Sequence, residues 1–271
     1  MRSISLIATV TFLHLAAALA AQAPSVPQPG SVFLEELTWV EVRDAIAAGK
    51  TTVIIPTGGT EQNGPHMALG KHNYLVKYKA GEIAKSLGNT LVAPVMAYVP
   101  EGDINPPTGH MRFAGTITLS QDVFGKVLEY AARSFTQHGF LDIALVGDSG
   151  GNQTAQKIVA EALNREWAAT KVRVHHITAY YPGRGDEWVM AQGVSADDVG
   201  SHAGTHDTSS LMYLNPSMLR FERMGSGKAG DGQGHVGNPA RATALFGRQI
   251  LGMQVDDAVK QIQELRLSSR R

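Results

Sequence analysis

The sequence predicts a single three-layer α/β domain in which a mostly parallel sheet has helices on both faces. Apolar runs at residues 52–56, 90–99 and 141–146 have the length and composition of buried strands. Amphipathic segments long enough for several helical turns separate these runs. Because strand and helix patterns alternate along the chain, we expect parallel strands joined by crossover helices.

The predicted elements begin and end at recognisable residues. Thr38 can cap a first helix over residues 37–50. Ser120 can cap a helix over residues 123–138, which Gly139 would end. Further helices are predicted over residues 72–87, 152–167, near 207–213, and from 239 to about 265. Two more strands are predicted over residues 113–119 and 172–181.

The N-terminal residues are expected to form a secretory signal peptide rather than part of the fold. Arg2 supplies a positive start, residues 4–20 are almost wholly apolar, and residues 18–20 match a small-residue cleavage site. The predicted division is a signal peptide at residues 1–20, a flexible lead-in at 21–32 and the α/β domain at 33–271. This organisation predicts a periplasmic or secreted protein that keeps no membrane span after the signal is removed.

The composition excludes some partners and some sources of stability. The chain has 271 residues, and its 24 Lys and Arg residues balance 24 Asp and Glu residues. A net charge of zero without a basic stripe argues against nucleic acid as a partner. The chain has no cysteine, so disulfides and lipid-modified cysteines are excluded. We therefore expect a large apolar core to stabilise the domain.

Candidate site residues lie on the loops that leave the carboxyl ends of the predicted strands, where open α/β sheets build their sites. The loop after the first strand carries Glu61, His66 and His72. Carboxylates and imidazoles are ligands that divalent metals take from proteins. Later loops carry His110, Asp148, Ser149, His202, His206 and Asp207. The convergence of these side chains predicts an active site at one edge of the sheet.

Residues 60–66, with the sequence TEQNGPH, resemble the signature of the creatininase (creatinine amidohydrolase) family, which reads EQHGPH. The similarity continues at His110, through residues 147–152 and through residues 202–209. The resemblance implies an α/β domain that assembles into homo-oligomers, often hexamers. It also implies a divalent metal site, commonly with two ions, that activates water against a carbon–nitrogen bond of a small, often cyclic, amide.

Several positions depart from the family pattern. Asn63 and Ser149 replace two metal-binding histidines, and His72 replaces an aspartate that bridges two metals. The late carboxylate is retained in kind as Asp207. Since an imidazole nitrogen binds one cation and cannot bridge two, we expect a single divalent ion, Zn, Mn or Fe. Its predicted ligands are Glu61, His72 and Asp207.

The resemblance and the positions of the loops together indicate catalytic and substrate-binding residues. His202 keeps the family position of a residue that moves protons. Asp148 and Ser149 are further catalytic candidates because they lie on the turn after the third strand. The predicted contacts of a small-molecule substrate are His66, His110, Trp188 and Tyr181.

Two other functions stay open at this point. Residues 147–151 satisfy the pattern G-x-S-x-G, and Asp207 and His235 follow, so a serine hydrolase that uses Ser149 is one alternative. The same residues read GDSGG, as in trypsin-like proteases, but that family is all-β, and this turn lies between a strand and a helix. The other alternative is a non-catalytic scaffold that binds a small molecule.

Overall fold

The computed structural model describes residues 30–181 and 184–268. Four parallel strands form one sheet in the order β2-β1-β3-β4. The strands are β1 (Thr52–Thr57), β2 (Thr90–Val92), β3 (Asp142–Gly147) and β4 (Arg173–His176). In the register, Thr52 lies opposite Thr90 on one side and Asp142 on the other. The predicted fold class is therefore confirmed, whereas the predicted signal peptide lies outside the described residues.

Helices connect and cover the strands. They are α1 (Trp39–Ala47), α2 (Lys71–Leu87), α3 (Gln121–Gln137), α4 (Gln153–Glu166), α5 (Gly185–Ala191), α6 (Ala196–Val199), α7 (Thr205–Leu214) and α8 (Ala244–Ser268). Thr38 caps α1 as predicted. Its hydroxyl accepts from the Glu41 backbone N–H, and the Glu41 carboxylate accepts from the Thr38 backbone N–H. None of the helices in residues 30–181 and 184–268 is long and apolar enough to span a bilayer.

The core has two layers because successive side chains of a strand point to opposite faces of the sheet. Val53 and Ile55 pack in one layer with side chains of α3 and α4. Ile54 packs in the other layer with side chains of α2 and α8. The three β1 residues are at most 1% exposed. Burial on both faces explains why this strand reads as an unbroken apolar run.

Four predicted elements differ from the structure. Residues 113–119 form no strand, because Ile117 and Thr118 make isolated bridges to different loops, at Thr60 and Val99. Strand β2 ends at Val92 instead of continuing to residue 99, two residues before Pro94, which lacks an N–H donor. Strand β4 is likewise shorter than predicted. The last helix begins at Ala244, after a separate 3₁₀ turn at Pro239–Arg241.

Candidate active site

A cleft of about 640 Å³ opens at the carboxyl end of the sheet. Its walls come from the loops after β1 and β2, the turn after β3, the start of α2 and the loop that leads into α7. The predicted site residues that line it are Glu61, His72, His110, Asp148, Ser149, Tyr181, His202 and Asp207. Side chains from distant parts of the chain therefore meet in one cleft.

Glu61 is the centre of this arrangement. Its side chain is 2% exposed, and Oε1 lies 2.8 Å from His72 Nε2. The other oxygen, Oε2, lies 3.1 Å from His110 Nε2. Asn63, at a family ligand position, instead braces the loop, since its amide donates to the backbone carbonyls of Glu61 and Ala68. The loop fold thus fixes the direction of the Glu61 carboxylate.

Asp148 forms the deepest ion-pair group in the cleft. Its Oδ2 lies 2.8 Å from His72 Nδ1. Its Oδ1 accepts from Lys79 Nζ and from the Tyr180 hydroxyl, each at 2.5 Å. All four side chains are buried. Both Asp148 oxygens are therefore occupied, and His72 bridges two carboxylates, those of Glu61 and Asp148.

Asp207 pairs with a lysine that sequence reasoning missed. Lys71 Nζ donates to Asp207 Oδ2 at 3.0 Å and lies 3.8 Å from Glu61 Oε1. The same Asp207 oxygen accepts from the Ala203 backbone N–H at 2.7 Å. The three side chains proposed as metal ligands therefore reach one cleft, but the Lys71 ammonium lies between Glu61 and Asp207.

The charged side chains in the cleft shift one another's pKa values. Burial acts to raise the pKa of Glu61, but the charges of His72 and Lys71 outweigh it and hold that pKa well below its usual range. Burial acts in the same way on Asp148, and Lys79 and His72 lower its pKa to about 2. Burial acts to lower the pKa of His72, but the two neighbouring carboxylates raise it. Both acids are therefore ionised at neutral pH.

Glu101 is a second residue that sequence reasoning missed. It lies in the loop after the second predicted strand, as Glu61 lies in the loop after the first, and this position was the available signal. Burial, the negative charge of Glu61 and a hydrogen bond with Glu61 raise the pKa of Glu101 to about 10. The two carboxyl groups therefore share a proton at neutral pH, with Glu61 as the ionised partner.

Two histidines at the opening of the cleft turn towards Glu61. His202 Nδ1 lies 3.7 Å from Glu61 Oε1, and burial together with Lys71 lowers the pKa of His202 to about 4. Gln62 orients both rings, because its side-chain amide donates to His110 Nδ1 at 2.9 Å and its backbone carbonyl accepts from His202 Nε2 at 2.9 Å. Glu61, His110 and His202 each offer one ligand atom, all within 4.8 Å of one another. This geometry can hold a metal ion.

The other predicted site residues take different places. His66 is fully buried beside His235 and contacts Thr208 Oγ1 at 3.2 Å, so it braces the loop instead of facing the cleft. Trp188 packs edge-on against Phe246, with ring centroids 5.8 Å apart, and is not among the described residues that line the cleft. Trp188 was predicted to contact the substrate. It packs against Phe246 instead, because an edge-to-face contact between two aromatic rings is favourable.

Ser149 does not meet the partners that a serine triad requires. Its hydroxyl accepts from the Gly151 backbone N–H at 3.4 Å. His235 Nε2 donates to the Gly225 carbonyl, and Asp207 pairs with Lys71. Among the described residues, Ser149, Asp207 and His235 are therefore not joined by hydrogen bonds into a catalytic triad.

Sequence comparison relates the chain to named hydrolases. It matches the Creatininase (creatinine amidohydrolase) family over residues 35–262. A mycofactocin precursor peptide peptidase of Mycobacterium tuberculosis is 27% identical over 237 residues, covering 78% of this chain and 84% of that protein. A creatinine amidohydrolase of Pseudomonas putida is 25% identical over 203 residues, covering 72% and 76%.

Structure comparison gives the same fold. A creatininase variant superposes with a TM-score of 0.75 at 22% identity, covering 88% of this chain and 99% of the other. Similar matches include a creatininase with Mn and a variant described as Zn–Zn type, with TM-scores of 0.72 and 0.71. The family match spans most of the chain, so the predicted resemblance is confirmed and the named relatives are hydrolases. The chain belongs to the creatininase family.

Proposed function

We propose that this protein hydrolyses a carbon–nitrogen bond of a small amide in the cleft around Glu61. One observation carries the proposal: Glu61, His110 and His202 bring three ligand atoms within 4.8 Å of one another in a cleft of substrate size. The names of the relatives, a peptide peptidase and a creatinine amidohydrolase, support the same bond type. Export to the periplasm or medium, and assembly into a homo-oligomer, are part of the proposal.

The donor set at the cleft opening is suited to one divalent ion. Glu61, His110 and His202 would hold it. The Gln62 backbone carbonyl accepts from His202 Nε2 and leaves Nδ1 of that ring free for the ion, whereas the Gln62 amide donates to His110 Nδ1, so His110 can offer Nε2 only if that contact is given up. A neutral imidazole is the form that binds metals, and burial lowers the pKa of both histidines. A bound Zn, Mn or Fe ion would lower the pKa of water and polarise the amide oxygen.

The predicted ligand set Glu61, His72 and Asp207 is less suited to the ion. Both ring nitrogens of His72 already contact carboxylates, at 2.8 Å each. An ion between Glu61 and Asp207 would have to displace the Lys71 ammonium. We therefore assign the ion to Glu61 with His110 and His202, and we assign His72 and Asp207 to the network that holds Glu61 in position.

Other groups in the cleft would have separate roles in the proposed hydrolysis. Glu61 is held ionised at neutral pH and supplies negative charge beside the reacting amide. Glu101 carries a proton that it shares in a hydrogen bond with Glu61, and it would help to keep the Glu61 carboxylate ionised. Ser149 and Tyr181 line the same cleft and can contact the substrate.

A panel of small amides, including creatinine, cyclic ureides and short peptides, tests the proposal. We expect Glu61→Gln to lower kcat/KM on the best substrate by about 10²–10⁴-fold, because a group that acts directly on the reaction contributes on this scale. The matched control is Glu82→Gln, a carboxylate of α2 that pairs with exposed Lys85. The proposal is wrong if no amide is hydrolysed, or if Glu61→Gln keeps the activity of the control.

A further inference from the structure

We propose that the ammonium groups of Lys71 and Lys79 take the place of a metal ion among the acids around them, so that Asp148 and Asp207 bind no divalent cation and Glu61 binds at most one, on its side towards His110 and His202. We call this group the lysine–acid cluster. It consists of Lys71, His72, Lys79, Glu61, Asp148 and Asp207. The proposal concerns the cleft of the proposed function, but it does not require hydrolysis to occur, because it is a statement about cation binding.

The first argument is that the oxygens of Asp148 are taken. Lys79 Nζ and the Tyr180 hydroxyl both donate to Oδ1 at 2.5 Å, and His72 occupies Oδ2 at 2.8 Å. A metal ion requires a lone pair that points at it from within about 2.0–2.6 Å. A carboxylate has about four lone-pair sites, so these three contacts leave Asp148 at most one, on Oδ2 beside the buried His72 ring.

The second argument is that Lys71 lies where an ion shared by the remaining acids would lie. Its Nζ is 3.0 Å from Asp207 Oδ2 and 3.8 Å from Glu61 Oε1, and its side chain is 1% exposed. Since a shared cation must contact both acids, its position would overlap that of the ammonium. The lysine therefore excludes the ion by volume and by like charge.

The third argument is that Lys79 is held by its own contacts. The Nζ atom donates to Gln254 Oε1 at 3.0 Å and lies 4.2 Å from the centroid of the Tyr180 ring. Its side chain is 2% exposed. These three partners, an acid, an amide oxygen and an aromatic face, hold the buried ammonium in place.

Charge balance agrees with the geometry. The cluster contains three acids, two ammonium groups and one imidazole that lies between two of the acids. A divalent ion would add two positive charges to a buried group that already has its counter-charges. A related creatininase is described as a Zn–Zn type. In this chain, we infer, lysines supply the positive charge within the lysine–acid cluster. The cleft can then bind at most one divalent ion, at Glu61, His110 and His202.

Stoichiometry of cation binding tests the inference. Purified protein, cleared of metal with chelator and desalted, is titrated with Mn²⁺ and with Zn²⁺ by calorimetry, and bound metal is counted by elemental analysis. We expect at most one equivalent per chain. We expect Lys71→Ala to gain one further equivalent, because Glu61 and Asp207 then lack their shared ammonium.

Two controls separate charge from general disturbance. Lys71→Arg keeps a positive charge and should gain no ion. Lys85→Ala removes an exposed lysine from the same helix and should bind as the parent protein does. In a thermal unfolding experiment, Mn²⁺ should raise the Tm of Lys71→Ala more than that of either control.

The outcomes are distinguishable from those of the proposed function. Two equivalents in the parent protein, or a folded Lys71→Ala that gains none, would overturn the inference. If Lys71→Ala folds only with added Mn²⁺, the inference is supported; if it never folds, the stoichiometry of the parent protein decides. A parent protein that binds no ion supports the lysine replacement and contradicts the ion assigned to Glu61, His110 and His202.

Discussion

The two ends of strand β3 each carry a buried acid with cationic partners, yet they differ in their surroundings. At the amino end, Asp142 contacts His175 Nε2 at 3.0 Å and Arg266 Nε at 3.2 Å. At the carboxyl end, Asp148 contacts Lys79 and His72. Only the second acid is among the described residues that line the cleft. A buried ion pair alone therefore does not indicate a functional site.

The two acids differ in whether the side chains around them can contact a ligand. Around Asp142, the contacts tie β3 to β4 and to the last helix. Around Asp148, the contacts hold His72 and, through it, Glu61, whose other oxygen faces His110 at the cleft opening. One end of the strand uses charge to join elements, and the other uses charge to aim a carboxylate into a cavity. Experiments can test this difference between the two ends of β3.

The largest effect is expected from Asp148→Asn. The change leaves Lys79 buried without its anion, and such losses destabilise proteins by about 3–5 kcal/mol. Urea unfolding followed by circular dichroism measures the loss. A free energy of unfolding within about 1 kcal/mol of the parent value would show that Gln254 and the Tyr180 ring suffice for Lys79, and the description of this end as tightly coupled would be wrong.

A pH effect of about 3 kcal/mol is expected from His66. Burial and His235 lower its pKa from 6.5 to about 4, so the neutral ring is favoured in the folded protein. The stability is fully present above about pH 6.5 and is lost as pH falls towards 4, at about 1.4 kcal/mol per unit. Unfolding measured from pH 7 to pH 4 should include this slope, and His66→Phe should reduce the total slope by about that amount while leaving the part that comes from His202. The matched change His138→Phe, at an exposed position, should not.

The smallest effect is expected from Asp142→Asn. Arg266 is 17% exposed, so water can partly replace the lost carboxylate, and we expect a loss of about 1–2 kcal/mol. The kcat/KM on any amide that the protein hydrolyses should stay within about two-fold of the parent value. An activity loss as large as that of Glu61→Gln would remove the distinction between the two ends of the strand.

The sequence predicted the layers well because they depend on local patterns. The apolar run in β1, the cap at Thr38 and the helical repeat of α3 each lie within a few residues of the observed elements. Residues 113–119 alternate like a strand, but their backbone partners are single residues of two other loops. Such pairing depends on tertiary contacts that no local pattern contains.

The candidate site was predicted less completely than the fold. Loop position identified Glu61, His110 and His202, because the carboxyl ends of parallel strands share one edge. Lys71 and Lys79 were missed because lysine on a helix usually faces solvent. A signal was present, since Lys79 occupies the same face of α2 as buried Leu75 and Val76.

The start of helix α2 has a consequence for the order in which the protein can fold. Gly70 precedes the helix without a capping side chain, and Lys71 places a cation at the positive end of the helix dipole. Local sequence thus opposes the first turn, and the compensating acids come from residues 61, 148 and 207. We therefore expect this turn to form late in folding, once the part of the chain that carries Asp207 has packed against it. Until then the segment that positions Glu61 is expected to be accessible to chaperones and proteases.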